Sequence, residues 1–165
     1  MHEPTLAHIT PVRTADDLAS AITLFRAYAA SLDVDLGYQN FEAELAAMPG
    51  KYAPPDGEIL LARDLAGVPV GCVGLRPLNG PDCCEMKRLY VSPEWRGIGL
   101  GRGLVEAVMR EAERIGYREI RLDTLPFMAE ATALYLRYGF EPMEPYYDTP
   151  LVGTLFLRRR LRQPS

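Results

Sequence analysis

The chain has 165 residues, 48% of them hydrophobic and 24% charged, with a net charge of −4. That is ordinary single-domain usage with enough apolar mass for a core, and it excludes whole-chain disorder, collagen and coiled coil. Residues 1–82 carry 11 acids and 5 bases while residues 83–165 carry 11 acids and 13 bases, so the chain lacks the basic face of a general nucleic-acid binder but could hold an anionic ligand in its second half.

The first segment, Leu6–Arg13, reads as a strand with no apolar signal core, so export is not expected. Thr14 then caps a helix with Asp16 and Asp17 in its first turn, and Leu18, Ile22, Phe25 and Ala29 recur at helical spacing. A second short helix covers Asn40–Met48, and Pro54-Pro55-Asp56-Gly57 breaks the chain after it. Strands are expected over Glu58–Arg63 and Val68–Leu75, joined by an Ala66-Gly67 turn, and over Cys84–Val91 after the turn at Asn79–Asp82. A long helix from about Gly99 to Ile115 presents Leu104, Val105, Val108, Met109, Ala112 and Ile115 as one stripe and stops at Gly116. Glu119–Asp123 is a strand, Met128–Tyr138 a helix, and Phe140–Tyr146 and Thr154–Leu161 are closing strands. Elements in this order predict a mixed α/β layer, not the regular alternation of a doubly wound sheet. In Arg158-Arg159-Arg160 alternate side chains face opposite sides, which suits a charged, solvated edge strand.

Cys72, Cys83 and Cys84 are the only cysteines. An odd count with an adjacent pair fits no disulfide framework, and without CxxC or CxxH spacing no zinc site is expected. A reducing cytoplasm is the matching compartment. The only histidines, His2 and His8, lie near the terminus, so neither a histidine triad nor a histidine metal centre is expected. The cysteines read as small strand hydrophobes rather than nucleophiles.

The segment most suggestive of chemistry is 89–103, where a strand enters a glycine-rich turn that opens the long helix. Such a turn leaves backbone N–H groups unpaired at the positive end of a helix dipole, which makes an anion site. Arg96 and Arg102 add charge to it. No GK[ST] follows, and a GxGxxG frame fails at Arg102 or at Leu104, so the Walker and dinucleotide-binding patterns are both absent.

The pattern that fits is Arg96-x-x-Gly99-x-Gly101, preceded by Leu89-Tyr90-Val91-x-Pro93 and followed by Ala131-x-x-Leu134-Tyr135-x-x-Tyr138-Gly139-Phe140. It resembles the acyl-CoA-binding signature of the GNAT superfamily of N-acyltransferases. The resemblance is close over 83–146, and the element order extends it to a single domain over 1–165. It implies a twisted, mostly antiparallel mixed sheet of about seven strands flanked by about four helices. It also implies acetyl transfer from acetyl-CoA to a primary amine of a small molecule, amino acid or peptide by direct attack on the thioester. A non-catalytic acyl-CoA-binding sensor on the same fold is the alternative. By this resemblance Leu89, Tyr90 and Val91 would line the pantetheine arm, and Arg96, Gly97, Ile98, Gly99, Leu100, Gly101 and Arg102 would cradle the pyrophosphate. Neither a metal, a nucleic acid nor a membrane partner is implied, and a monomer or homodimer fits.

Tyr135 stands where many such enzymes place the acid that protonates the CoA thiolate, and a phenol, with pKa about 10, stays protonated at neutral pH. Its helical spacing with Met128, Ala131, Leu134 and Tyr138 equally suits a core aromatic. Glu85 matches the place where some members carry a base glutamate. By strand alternation Glu85, Lys87, Leu89 and Val91 share a face, so Glu85 could instead pair with Lys87. The acceptor would then be walled by Tyr28, Leu32, Tyr38, Phe41, Phe127 and the Tyr146–Pro150 loop, with Asp33, Asp35 and Asp148 available to attract a cationic amine.

Overall fold

In the computed structural model, residues 7–32, 34–80 and 82–163 are described, with the exception of the Tyr38 side chain. Strand β1 (Ala7–Pro11) leads into helix α1 (Ala15–Ser31) through a capping box. The Thr14 hydroxyl accepts from the Asp17 N–H at 3.1 Å, and the Asp17 carboxylate accepts from the N–H groups of Thr14 and Arg13. Those bonds, the Arg13 N–H foremost, hold the Asp17 carboxyl below its usual range. The buried stripe of α1 centres on Ala21, Leu24 and Phe25, with Leu18, Ile22 and Ala29 on its flanks.

A 3-10 turn (Leu36–Gln39) and helix α2 (Phe41–Ala46) follow, then a second 3-10 turn at Gly50–Tyr52. Strands β2 (Glu58–Asp64), β3 (Pro69–Pro77) and β4 (Cys83–Val91) form an antiparallel meander. At the first hairpin Gly67 takes φ +84°, and the Asp64 carboxylate accepts from the N–H groups of Ala66 and Val68. Helix α3 (Leu100–Ile115) buries Leu104, Val105, Val108, Met109 and Ala112, and Gly116 ends it at φ +107°. Strand β5 (Glu119–Thr124), helix α4 (Ala129–Arg137) and strands β6 (Glu141–Met143) and β7 (Leu155–Arg160) complete the fold.

The seven strands form one sheet in the order β1-β2-β3-β4-β5-β7-β6, with β4 and β5 its parallel pair. One face packs on α3 and α4 and the other on α1 and α2, giving two separate cores. Strand β2, between β1 and β3, is buried over its first five residues because both of its faces are covered. The expected α/β layer and element order are thus present.

Three expectations change. The sixth strand ends at Met143, well short of Tyr146, because Pro145 has no N–H to add to a ladder and the chain turns inward to carry Tyr146 and Tyr147 to buried carboxylates. Of the arginines 158–160, Arg158 does not lie on an edge: it pairs with β5 and β6 and meets Glu119 and Glu141 from those strands, whereas Arg159 and Arg160 run past the short β6 and pair with β5 alone. Finally, β4 does not alternate evenly. Arg88 has φ +60°, and the register between β3 and β4 shifts there, so the strand carries a bulge. Glu85, Lys87 and Arg88 therefore face the α1–α2 layer, whereas Leu89 and Val91 pack with the α3 core.

The sheet depends on close approach at Gly74, where a Cβ would sit 2.6 Å from the buried Tyr52 ring. Tyr52 is itself locked edge-on against Phe25 at 5.6 Å. Gly74→Ala is expected to destabilise the protein by about 1–3 kcal/mol through overpacking, read as a lowered midpoint in urea unfolding.

Candidate active site

Parallel pairing between β4 and β5 covers only Cys83 with Glu119, Cys84 with Ile120 and Glu85 with Arg121. Beyond those pairs the strands diverge, and among the described residues no strand pairs with β4 on that side from Met86 onward. The gap is a cleft open to solvent, whose walls include Tyr28, Gln39, Lys87, Arg88, Asp123 and Tyr135. At the far end of β4 the chain passes a 3-10 turn (Pro93–Trp95) and enters the glycine loop.

The loop has the geometry of an anion cradle. Gly97 and Gly99 take φ +81° and +90°, left-handed values that a side chain would strain. Gly99 caps α3 without any side-chain bond, and the first closing bond runs from the Gly103 N–H to the Gly99 carbonyl. Leu100, Gly101 and Arg102 are first-turn residues, so their N–H groups have no helical partner. A Cβ on Gly97 would meet nothing within 4 Å, so the loop is open on its outer side. These donors fit a pyrophosphate. The Arg96 Nε donates to the Val91 carbonyl at 2.8 Å with its guanidinium over the Tyr90 ring, which ties the loop back to the strand end. The Arg102 side chain lies 3.5 Å from where a Gly99 Cβ would be.

Tyr135 is buried in α4, tilted against Phe140, and lines the cleft. Burial pushes its phenol well above the ordinary value. Glu85 stands elsewhere. It is 1% exposed, it does not line the cleft, and both of its oxygens are held: Oε1 by Arg76 Nε at 2.9 Å and Oε2 by the Tyr146 hydroxyl at 2.6 Å. The expected pairing with Lys87 is replaced by this cross-strand pair with Arg76, which lies directly opposite on β3.

Lys87 instead donates to Gln39 Oε1 at 3.2 Å and approaches Asp123 Oδ1 at 3.6 Å. Burial lowers its ammonium from the usual lysine value. Arg88 donates to both oxygens of Glu44 and to Gln39, with its guanidinium over Phe41 at 5.0 Å and Tyr28 at 5.8 Å. Gln39 Nε2 donates to the Tyr147 hydroxyl, which donates to Asp123 Oδ2. A ring of bonds thus runs Lys87–Gln39–Tyr147–Asp123, joining the first 3-10 turn, β4, β5 and the β6–β7 loop.

Of the expected acceptor wall, Tyr28 lines the cleft. Leu32 and Phe41 belong to the α1–α2 core, Phe127 is exposed, and Tyr146 is committed to Glu85. Asp35 is exposed and accepts from the Gly37 N–H, and Asp148 is exposed. Asp33 and the Tyr38 side chain lie outside the described residues. Gln39 and Asp123 were not singled out by sequence, while Tyr147, expected with its loop in the acceptor wall, bonds to both. The bulge concealed the placing of Lys87, though it is one of only two lysines in an arginine-rich chain. All three cysteines are free and buried, and burial pushes their thiols up, away from nucleophilic character. Among the described residues no cluster of three or more metal-ligating side chains occurs, and no helix is long and apolar enough to cross a membrane.

Comparison with known proteins bears on the same features. The family model described as "Acetyltransferase (GNAT) family" matches residues 23–140. An uncharacterized N-acetyltransferase of Schizosaccharomyces pombe is 42% identical over 158 residues, covering 96% of this chain and 97% of the relative. An uncharacterized N-acetyltransferase of Escherichia coli is 34% identical over 115 residues, 68% of each chain. Among solved structures, a GNAT-family acetyltransferase of Staphylococcus aureus superposes with TM-score 0.78 at 19% identity over 94% of this chain and 99% of its own. A phosphinothricin acetyltransferase of Sinorhizobium meliloti, solved with acetyl-CoA, gives TM-score 0.71 at 20% identity over 95% and 89%.

Removing one partner of a buried pair leaves the other charge stranded. Arg88→Met should therefore cost about 3 kcal/mol, at the low end for such a loss because Arg76 still meets Glu44, and denaturant unfolding of the purified variant measures it.

Proposed function

Because the chain belongs to the GNAT acetyltransferase family, we propose that it moves the acetyl group of acetyl-CoA to a primary amine of a small molecule, amino acid or peptide by direct attack on the thioester. The observation that carries this reading is the continuity of three features on one strand: the unpaired edge of β4, the glycine loop at its end, and the cleft beside it containing Tyr135.

The backbone of Leu89, Tyr90 and Val91 lies along the pantetheine, and residues 96–102 hold the pyrophosphate through first-turn N–H groups. Bringing thioester and amine together in a cleft supplies much of the acceleration. The amine must arrive neutral. Its nitrogen lone pair forms the C–N bond, the tetrahedral intermediate collapses, and the C–S bond breaks with its electrons on sulfur. The thiolate takes a proton from the Tyr135 hydroxyl, and the proton shed by nitrogen restores the phenol. One proton leaves nitrogen and one reaches sulfur, so the exchange balances. The raised Tyr135 pKa keeps the phenol protonated at rest and makes it a weaker acid than free tyrosine, so in this reading its proton passes to sulfur together with its replacement from nitrogen.

Glu85, with both oxygens engaged, takes a positioning role in this reading: it anchors Tyr146 and, through it, the loop bearing Tyr147. A cytoplasmic setting is part of the same proposal and is supported by three buried free thiols.

Tyr135→Phe is expected to lower kcat by about 10²-fold with acetyl-CoA affinity retained, as measured by thiol release and by the ligand-induced rise in Tm. Wild-type kcat in that variant would defeat the acid role. Gly99→Val forces a branched side chain to φ +90° and should weaken acetyl-CoA binding at least about tenfold, measured by calorimetry.

A further inference from the structure

The cleft contains an ammonium whose hydrogen bonding is incomplete. The Lys87 side chain is 5% exposed, yet among the described residues its one hydrogen bond goes to Gln39 Oε1. Its distance to Asp123, 3.6 Å, is an ion-pair approach beyond hydrogen-bond length. An ammonium has three protons to donate, and a buried charge with unused donors is costly to leave so. Asp123 mirrors it: Oδ2 accepts from Tyr147, while Oδ1 meets only the distant Lys87 among the described residues. The two half-satisfied charges face each other across the strand divergence.

The balance of charge around them selects among acceptors. Lys87 and Arg88 both line the cleft, and Asp123 is the carboxylate that lines it. Glu44 neutralises Arg88 from behind. With Arg88 paired to Glu44, the charge left facing the cleft is one ammonium, Lys87, beside one carboxylate, Asp123, a pair that matches a zwitterion better than a purely cationic amine such as a polyamine. The acids that composition offered for attracting such a substrate, Asp35 and Asp148, are exposed and do not line the cleft.

We infer that the acceptor is an amino carboxylate of the amino-acid type, whose carboxylate inserts against Lys87 while its amine is oriented by Asp123 Oδ1. This rests on the reading of the cleft as the acceptor site. Lys87 is then a specificity residue: it completes its donors on the substrate's carboxylate through charge-assisted bonds. An acceptor lacking that group offers the ammonium nothing beyond Gln39 and the Asp123 approach.

The test uses the full chain with acetyl-CoA and matched acceptor sets: an α-amino acid, its primary amide and its decarboxylated amine, for several side chains. Thiol release should show kcat/KM for the free acid about tenfold or more above the other two. Lys87→Met should erase that preference by raising KM for the acid, while Lys87→Arg retains it. The rise in Tm with acetyl-CoA confirms that each variant is folded, and Lys87→Gln serves if the methionine variant is not. Amides or amines used as well as the acids, or a preference that survives loss of the ammonium, overturns the inference. If no compound releases CoA, calorimetric titration of the same sets into CoA-saturated protein decides. Tighter binding of the free acid, lost in Lys87→Met, keeps the carboxylate site and removes the acyl-transfer reading. Equal binding, or none, removes the carboxylate site.

Discussion

Two neighbouring parallel strands that stop pairing after Glu85 and Arg121 set the terms for everything around them. A strand with an unpaired edge in the middle of a sheet must satisfy its N–H and C=O groups elsewhere, and the space beside it must be filled or left open. Here it is left open as the cleft, walled by α1 and the first 3-10 turn on one side and by α4 on the other. The α3 helix starts shortly after β4 ends, and its N-cap, Gly99, makes no side-chain bond. The interrupted pairing thus leaves an exposed edge on the strand that leads into the glycine loop.

The second requirement is that the charges beside the divergence be held in place. The structure meets it with a connected set rather than isolated pairs. Arg76 bridges Glu85 and Glu44, Arg88 joins Glu44 to Gln39, and Lys87, Asp123 and Tyr147 close the ring. Each member is buried enough that losing one partner strands another. The cation over Phe41 and Tyr28 adds a ring face to a guanidinium that already has its oxygens.

Much of the framework was readable beforehand because it rests on local rules. The Thr14 cap, the α3 stripe, the Gly116 stop and the Ala66-Gly67 turn each follow from a few adjacent residues. The glycine loop was readable because left-handed backbone needs glycine. What escaped was long-range. Nothing local marks Arg88 as a bulge, since arginine does not favour positive φ, and so the period of two carried Lys87 and Leu89 onto one face. The partners of Glu85 come from residues 76 and 146, and those of Asp123 from residues 87 and 147, separations that no periodicity encodes. Exposure also misled: Phe41 belongs to a core and Phe127 to the surface, although both are aromatic residues beside expected walls.

The bulge at Arg88 has a consequence for how the protein can diverge. One extra residue makes β4 a strand with two grammars: up to Arg88 its charged side chains address the α1–α2 side, and past it Leu89 and Val91 address the α3 side. Substitutions upstream can therefore alter the polar cleft while the stretch that leads into the glycine loop keeps its packing. A change of residue count between Glu85 and Arg88 would not be neutral in the same way, because it would turn every subsequent side chain to the opposite layer. Within this short strand, spacing constrains the fold as firmly as the identity of its paired charges.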